Sequence, residues 1–206
     1  EGCSNRSSIS IPDSVISIGD GAFLGCSTLS NINIPKGVTS IGTFAFSGCS
    51  VLSSISIPEG VTSIGISAFS GCSSLKEIVV SENNMTYTSE NGILYTKDMT
   101  TLICCPREKT GKIVIPEKVT SIEKEAFYEC KSLSSISIPE GMISIGKNVF
   151  VGCSSLKEIV VNKNNITYTS KNGMLYTKDM TKLICCPAGK TGKISIPKGV
   201  TFIGSY

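Results

Sequence analysis

The chain has 206 residues, of which 40% are hydrophobic and 17% are charged, and its formal net charge is +3. This length and composition suit a folded domain with a sizeable core and exclude a disordered chain. No apolar run reaches the roughly 18 residues of a membrane-spanning helix, so we expect no direct membrane insertion.

The charge is unevenly distributed along the chain. Residues 1–70 carry a net charge of −2, whereas residues 152–201 hold eight Lys and two acidic residues and carry +6. The basic segment either attracts a polyanion or is an ordinary solvated surface. Arg, the usual residue for bidentate contacts to phosphates and bases, occurs only as Arg6 and Arg107, so we do not expect a nucleic-acid partner.

A repeat is visible because an Ile-rich segment ends in Pro six times, at Pro12, Pro35, Pro58, Pro116, Pro139 and Pro197. The spacings are 23, 23, 58, 23 and 58 residues. A longer period is superimposed, since residues 71–120 and 152–201 differ at only 11 of 50 positions. Fixed periods of this length are typical of repeat proteins, in which each unit packs on the next.

The unit over residues 35–57 shows the predicted elements in chain order. GVTSIG predicts a turn and a short extended piece, and TFAFSGC predicts one helical turn that ends at Gly48. LSSISI alternates apolar and polar residues, which predicts a short strand with Ile inward and with Ser54 and Ser56 outward. One unit is therefore one coil of a solenoid.

Each 58-residue interval holds one ordinary coil and one enlarged coil of 35 residues. Two apolar runs flank Lys97-Asp98 and also Lys178-Asp179, which predicts a β-hairpin at both places. Asn91-Gly92 and Asn172-Gly173 predict the turn that enters each hairpin. The count of coils predicts eight parallel strands in the main sheet, centred near Ile9, Ile32, Ile55, Ile78, Ile113, Ile136, Ile159 and Ile194.

The predicted strands share the pattern LxxLxL, as Leu29-x-x-Ile32-x-Ile34, Leu52-x-x-Ile55-x-Ile57, Leu75-x-x-Ile78-x-Val80, Leu133-x-x-Ile136-x-Ile138 and Leu156-x-x-Ile159-x-Val161. This pattern resembles a leucine-rich repeat. The longer consensus IPxxVxSIGxxAFxGCxxLxxIxIP is similar to the BspA-type, or treponemal-type, leucine-rich repeat family of bacterial surface proteins over essentially the whole chain. The resemblance implies a right-handed, curved, β-rich solenoid, display at the cell surface or secretion, and a role in adhesion or host interaction.

The two terminal segments correspond to incomplete units. GCSNRSSISIP is the second half of a unit, with Arg6 where other units have Leu, and PKGVTFIGSY stops before the AFxGC turn. Because a solenoid needs capping units, we expect residues 1–206 to be a single solenoid domain cut within a coil at both ends.

Catalysis is not expected, because the chain contains no His. Its absence removes His-activated Ser and Cys nucleophiles and the commonest general base. A carboxylate pair has little support, since Glu77 and Glu158 belong to coils that are not adjacent. A 23-residue Cys spacing gives no CxxC pair, so we expect neither a zinc site nor another cofactor.

Six of the ten Cys occupy the same position of the unit, at Cys3, Cys26, Cys49, Cys72, Cys130 and Cys153. Stacked coils bring neighbours within about 5 Å, inside the range of a disulfide, but their parallel Cβ vectors oppose bridging. We predict buried thiols that pack as small apolar side chains beside Phe. In Cys104-Cys105 and Cys185-Cys186, alternation predicts one thiol inward and one outward, with a strained vicinal disulfide as the alternative.

The candidate partner-binding surface consists of the outward strand positions, which form one row of Asn31, Ser54, Glu77, Ser135 and Glu158 and another of Asn33, Ser56, Val79, Ser137 and Val160. The rows contain small polar residues and no aromatic residue, so a deep small-molecule pocket is not expected. An extended protein or glycan of a host or neighbouring cell fits such a face better. The alternative is a solvated face on a purely structural spacer.

Two further features lie on the enlarged coils. Four tyrosines form a competing patch, which we interpret as hairpin packing rather than a binding site: Tyr87, Tyr95, Tyr168 and Tyr176. Asn84-Met-Thr and Asn165-Ile-Thr match the acceptor sequence for N-glycosylation, which matters only in a glycosylating source.

Overall fold

The computed structural model describes residues 7–204, and Cys3 and Arg6 lie outside this range. The chain forms two compact units: unit 1 is Glu1–Asp98 with Ile103–Glu108, and unit 2 is Met99–Leu102 with Lys109–Tyr206. The boundary falls within one short strand, Thr101–Cys104, which is numbered β10 below.

Unit 1 is a β-solenoid built from very short strands. They are β1 (Ser8–Ser10), β2 (Ser17–Ile18), β3 (Asn31–Asn33), β4 (Ser40–Ile41), β5 (Ser54–Ile57), β6 (Ser63–Ile64), β7 (Glu77–Val80), β8 (Tyr87–Glu90) and β9 (Ile93–Thr96). On one face β1 pairs with β3 and β5 with β7, both in parallel. On the other face β2, β4 and β6 form a parallel ladder. Each pairing joins residues 23 positions apart, so one repeat is one coil.

Unit 2 repeats this plan. Its strands are β10 (Thr101–Cys104), β11 (Gly111–Val114), β12 (Ser121–Ile122), β13 (Leu133–Ile138), β14 (Ser144–Ile145), β15 (Glu158–Val161), β16 (Tyr168–Lys171), β17 (Met174–Thr177), β18 (Lys182–Cys185) and β19 (Phe202–Ile203). β11, β13 and β15 form one parallel sheet, and β12 and β14 pair in parallel on the opposite face. The core lies between the two faces, where alternate Ile and Leu side chains meet.

The AFxGC segments are consecutive turns, and residues 7–204 contain no helix, so the predicted helical turn is wrong. Phe44 and Gly48 have positive φ angles of 54° and 78°, which a right-handed helix does not allow. The backbone N–H of Phe46 donates to the carbonyl of Ala68 in the following coil at 2.8 Å. The backbone groups that a helix would pair within this segment therefore form hydrogen bonds to the neighbouring coil instead.

Two hairpins enlarge the long coils. β8 pairs antiparallel with β9 across Asn91-Gly92, and β16 pairs with β17 across Asn172-Gly173. Both residues of Asn91-Gly92 have positive φ, at 50° and 72°, as a two-residue type I′ turn requires. In unit 2 the predicted hairpin around Lys178-Asp179 is confirmed as the antiparallel pair β17–β18. Its counterpart around Lys97-Asp98 falls at the boundary between the units.

Seven of the eight predicted main strands are confirmed, and the one near Ile194 is wrong. Residues 186–200 form no strand, and Ile194 is 43% exposed. β15 bonds to the hairpin, because the N–H of Ile159 donates to the carbonyl of Gly173 at 2.9 Å and the N–H of Val161 donates to Ser170 Oγ at 3.1 Å. β7 bonds to its own hairpin in the same way, and the equivalent strand β11 forms because it pairs with β13, whereas within residues 7–204 no later strand pairs with residues 186–200. The main sheet is thus interrupted at the hairpin.

Candidate functional site

The outward face of unit 1 is formed by β3, β5 and β7. Alternation buries Ile32, Ile55 and Ile78 and turns the intervening side chains to solvent. Ser54 lies beside Glu77, and Ser56 lies beside Val79, through the parallel register of β5 and β7. All six residues predicted for this unit are exposed: Asn31, Asn33, Ser54, Ser56, Glu77 and Val79. The prediction that these six side chains point to solvent is therefore confirmed.

The outward face of unit 2 differs at Ser135, which is buried. Its hydroxyl donates to Glu158 Oε1 at 3.2 Å, and only 7% of the residue is exposed. The prediction of an exposed Ser135 is wrong because Lys112 and Glu158 are its register partners on the two neighbouring strands, and both have long side chains. Ser137 is half-buried, whereas Glu158 and Val160 are exposed as predicted.

Sequence reasoning missed the contribution of β11 to this face. Val114 is 64% exposed and lies beside Ser137, with Val160 on the other side of Ser137. The three residues border a shallow depression of about 180 Å³, lined by Val114, Ile115, Glu117, Ser137, Ile138, Pro139, Val160 and Asn162. The signal was present, because GKIVIP alternates as LSSISIP does. The depression offers two aliphatic side chains around one hydroxyl, with carboxylate and amide groups at its border.

The four tyrosines pack inside the enlarged coils, as predicted. Tyr87, Tyr95, Tyr168 and Tyr176 are at most 9% exposed. The hydroxyl of Tyr87 accepts a hydrogen bond from the backbone N–H of Ile64 at 3.1 Å, and that of Tyr168 accepts one from Ile145 at 3.2 Å. Burial raises the pKa of both phenols. They are structural and do not form a binding patch.

The five recurring cysteines from Cys26 to Cys153 are buried, and three of them, Cys49, Cys72 and Cys153, donate a hydrogen bond to a backbone carbonyl of the preceding coil. Residues 7–204 contain no disulfide. The Sγ of Cys72 donates to the carbonyl of Phe46 in the preceding coil at 3.1 Å, and Cys153 donates to Phe127 at 3.1 Å. Burial raises the pKa of both thiols to about 12, so neither is a thiolate nucleophile near neutral pH. The predicted packing beside Phe is confirmed, and the S–H donor adds a directional bond between coils.

The vicinal cysteines confirm the predicted alternation in unit 2. Cys185 is buried and Cys186 is exposed, and no disulfide joins them. Burial raises the pKa of the Cys185 thiol to about 12. In the other pair Cys105 is buried and Cys104 is half-buried. Cys186 is therefore the thiol of the two pairs that an oxidant or alkylating reagent reaches first.

Both glycosylation-type asparagines are fully buried. Asn84 Nδ2 donates to the carbonyls of Pro58 and Val61 at 2.8 and 2.9 Å. Its Oδ1 accepts the backbone N–H groups of Thr86 and Tyr87 at 2.9 and 2.7 Å. Asn165 repeats this arrangement in unit 2. In the folded chain each amide is a structural bridge and is inaccessible to a glycosyl donor.

No metal-binding cluster is found where the structure is described. Within residues 7–204, no group of three or more Cys, Asp or Glu side chains is placed to hold a metal ion. In the same range, no helix has the length and hydropathy needed to span a bilayer. The outward strand faces of the two units are therefore the candidate functional surfaces.

Comparison with known proteins gives a family and two informative structures. The model of the BspA-type leucine-rich repeat region matches residues 1–110 and 103–206, with six copies of the repeat. A leucine-rich cell surface protein from Faecalibacterium prausnitzii is 32% identical, with a TM-score of 0.75, over 98% of this chain and 50% of that one. The pneumococcal vaccine antigen PcpA is 25% identical, with a TM-score of 0.63, over 78% of this chain and 52% of that one. The chain thus spans about half the length of these structures, and comparison with curated protein sequences gives no match.

Proposed function

The chain belongs to the BspA-type leucine-rich repeat family, and on that premise we propose that it is a non-catalytic, extracellular interaction module. Its partner is a protein or glycan of a host or neighbouring cell, bound on the outward strand faces. The similarity to a cell surface protein and to a vaccine antigen supports the location. The outward faces support the binding role, because their side chains are held on strands and are not used by the core.

The observation that carries the proposal is the face of β11, β13 and β15 in unit 2. Val114 and Val160 are 64% and 43% exposed on either side of Ser137. A partner that covers these two neighbouring aliphatic side chains would remove their exposed apolar area from water, which favours binding. The backbone beneath them is fixed by parallel pairing on both sides of β13, so binding costs little conformational entropy.

The shape of this face favours an extended partner. The depression is shallow, with a volume of about 180 Å³, below the usual range of roughly 300–1,000 Å³ for small-molecule pockets. Lys112 and Glu158 lie in the neighbouring row and offer charges of both signs. A peptide segment with an aliphatic side chain, or a sugar with an apolar ring face, can place that group between the valines and bond to Ser137 or Asn162.

A structural spacer is the second candidate, and the hydroxyl ladders favour it. Ser50 Oγ donates to the carbonyl of Ser27 in the preceding coil at 3.2 Å, and Ser73 Oγ donates to that of Ser50 at 3.1 Å. Thr39 and Thr62 form a parallel ladder of the same kind. These hydroxyls serve coil stacking alone, which is the property that a spacer requires.

Arrays of surface glycans and of extracellular-matrix and cell-surface proteins distinguish the two candidates. We expect a specific binder whose affinity falls at least tenfold in V160K and S137E, because a charge then lies in the aliphatic depression. The matched control is I143K, since Ile143 is also in unit 2, is 64% exposed and lies next to β14 on the opposite face. Equal loss in I143K would reject this face as the site, and absence of any binder would also support the spacer.

A further inference from the structure

The two long coils differ in surface charge, although their hairpins β8–β9 and β16–β17 pair in the same register. Six positions differ between residues 76–101, which contain the first hairpin, and residues 157–182, which contain the second. Three of these differences change the charge, and each introduces a lysine in place of Glu82, Glu90 and Thr101: Lys163, Lys171 and Lys182. The first segment holds two Lys and four acidic residues, and the second holds five Lys and two acidic residues. The net charge thus changes from −2 to +3.

The lysines of the second hairpin lie on its surface. Lys163 and Lys171 are exposed, and so is Lys178, which has a lysine at the same position in the first hairpin. The three equivalent residues of the first hairpin, which further coils follow, are exposed as well: Glu82, Glu90 and Lys97. Exposure is therefore a property of the hairpin and does not depend on its position in the chain.

Two of the lysines meet at one end of the second hairpin. Lys178 Nζ donates to the backbone carbonyl of Lys163 at 3.2 Å, which holds its ammonium group beside that residue. In the first hairpin Lys97 Nζ donates to the backbone carbonyl of Glu82 at 3.1 Å, so the neighbouring side chain there is a carboxylate. The change to Lys163 thus places two like charges on adjoining residues. Their mutual repulsion is reduced when an anion binds between them.

The opposite end of the hairpin is also basic. Lys171 precedes the turn Asn172-Gly173, and this turn packs on the start of β15, because a Cβ at Gly173 would lie 2.9 Å from the Cβ of Glu158. Lys157, which precedes Glu158, is exposed. β17 spans four residues between the two ends, which are therefore about 10–13 Å apart.

The two acidic side chains of this segment are held by hydroxyl groups of the protein. Glu158 Oε1 accepts from Ser135 Oγ at 3.2 Å, and Asp179 Oδ1 accepts from Thr177 Oγ1 at 2.6 Å. Asp179 Oδ1 also accepts the backbone N–H of Thr181 at 3.0 Å. The surplus of positive charge is therefore distributed over both ends of the hairpin.

We propose that the hairpin β16–β17 binds an anionic polysaccharide through the lysines at its two ends. These hairpin lysines are Lys157, Lys163, Lys171 and Lys178. A small anion reaches one end only, whereas a polymer contacts both ends and gains affinity because its second contact is intramolecular. The site shares no residue with the depression between Val114 and Val160.

The type of cation favours a polysaccharide over a nucleic acid. Residues 152–201 contain eight Lys and no Arg, so the surface offers point charges and no bidentate guanidinium group for phosphates or base edges. Exposed amide groups accompany the lysines, since Asn164 follows Lys163 and Asn172 follows Lys171. An amide both donates and accepts hydrogen bonds, which suits the hydroxyl groups of a sugar.

Isothermal titration calorimetry on the 206-residue chain tests the proposal. Heparin, hyaluronan and a phosphomannan present sulfate, carboxylate and phosphate groups in turn, and dextran is the uncharged control. We expect binding to at least one of the charged polymers, weaker at higher salt because exposed charges are screened, and none to dextran. Inorganic sulfate at the same concentration of charge should bind far more weakly than the polymer.

Two double variants separate the hairpin from the overall charge. K163E/K171E gives the second hairpin the residues found in the first, so it should fold, and it should weaken binding at least about fivefold. The matched control K118E/K131E makes the same change in net charge at two exposed lysines of the coil 116–138, which the coil 139–161 separates from the hairpin. It should weaken binding less than about twofold.

Chemical protection of lysines locates the bound polymer. Acetylation followed by peptide mass spectrometry should show that the polymer protects Lys163, Lys171 and Lys178 and leaves Lys118 and Lys131 unchanged. Failure of all three charged polymers to bind overturns the proposal, as does equal loss in the two double variants or equal protection of all five lysines. Equal or tighter binding to a DNA duplex would assign the surface to a nucleic acid and overturn it too. V160K and S137E should retain polymer binding, so this proposal and that of the strand face can fail separately.

Discussion

Replacement of Asn165 by Ala should be the most destabilising polar substitution in unit 2. The residue is fully buried, and its Nδ2 donates to the carbonyls of Pro139 and Met142, both at 3.0 Å. Its Oδ1 accepts the N–H groups of Thr167 and Tyr168 at 2.9 and 2.6 Å. Nδ2 also lies 2.9 Å from the carbonyl of Glu140, so its two hydrogens are shared among three carbonyls. Ala therefore removes four hydrogen bonds, two that Nδ2 donates and two that Oδ1 accepts.

The magnitude follows from those four hydrogen bonds. A buried polar group without a hydrogen bond costs about 1–3 kcal/mol, and partial access to water in the variant reduces the sum to the lower end. We therefore expect N165A to lower the free energy of unfolding by about 4 kcal/mol. N165D should also be strongly destabilising, because a carboxylate cannot donate to the carbonyls and would place a charge among them.

Urea denaturation followed by far-UV circular dichroism measures this loss. The matched control is N164A, because Asn164 is exposed and its side-chain amide donates to Glu140 Oε2 at 3.1 Å on the surface. That variant should change the free energy of unfolding by no more than about 0.5 kcal/mol. If N165A and N164A differ by less than about 1 kcal/mol, the bridge between coils does not have the role assigned to Asn165.

Two further predictions concern the thiols and the glycines of the coil. Burial raises the pKa of Cys72 from 9.0 to about 12, so the unfolded chain ionises first and stability is lost as the pH rises from 9 to 12. C72A should reduce the slope of the unfolding free energy over that interval by the contribution of one thiol, because Cys153 and Cys185 keep theirs. In the native protein at pH 8 an alkylating reagent should modify Cys186 well before Cys72, as peptide mass spectrometry can establish. G65A should destabilise by more than about 2 kcal/mol because its Cβ would lie 2.3 Å from the Thr43 nitrogen, whereas G19A, with nothing within 4 Å, should be neutral in thermal unfolding. Equal melting temperatures of the two Gly variants would contradict the packing of coil on coil described above.

The inner half of each coil could be predicted from sequence because it obeys a single rule. The pattern LxxIxI places Leu52, Ile55 and Ile57 inward, and all three are at most 1% exposed. The same rule placed Cys72 in the core, since a side chain at a position that recurs in every coil must be able to pack in every coil. The rule could not predict which carbonyl accepts the hydrogen bond of the thiol. The acceptor is Phe46, which precedes Cys72 by 26 residues and not by the 23 of the repeat.

Two of the errors depend on how one coil pairs with the next, whereas the burial of Ser135 depends on the long side chains of Lys112 and Glu158 beside it. TFAFSGC has the length and composition of a helical turn, but the N–H of Phe46 is taken by Ala68 of the next coil. The segment around Ile194 has the pattern of a strand, but within the described residues no later strand pairs with it as β13 pairs with β11. Local sequence determines what a segment can form, whereas the choice between forms depends on a neighbour 23 or more residues away.

The buried asparagines show the same limit at a single residue. Asn84-Met-Thr is a plausible surface acceptor by motif, yet Asn84 has no exposed area. A signal was available, because Asn84 recurs as Asn165 while its neighbour changes from Met85 to Ile166. Met85 and Ile166 are 82% and 83% exposed, so the changed position is the one that contacts solvent.

The division between inward and outward positions also locates where partner specificity can reside. On β5 and β7 the inward pair Ile55 and Ile78 is the same residue, whereas the outward pair changes from Ser54 to Glu77. An inward change leaves a cavity in a stack that each coil shares with its neighbours, and it costs about 2–5 kcal/mol for Ile to Ala. An outward change on a solvent-facing strand position usually costs within about 0.5 kcal/mol. The outward rows can therefore acquire new charges and shapes at almost no cost in stability, which makes them the part of the coil on which a binding specificity can be selected.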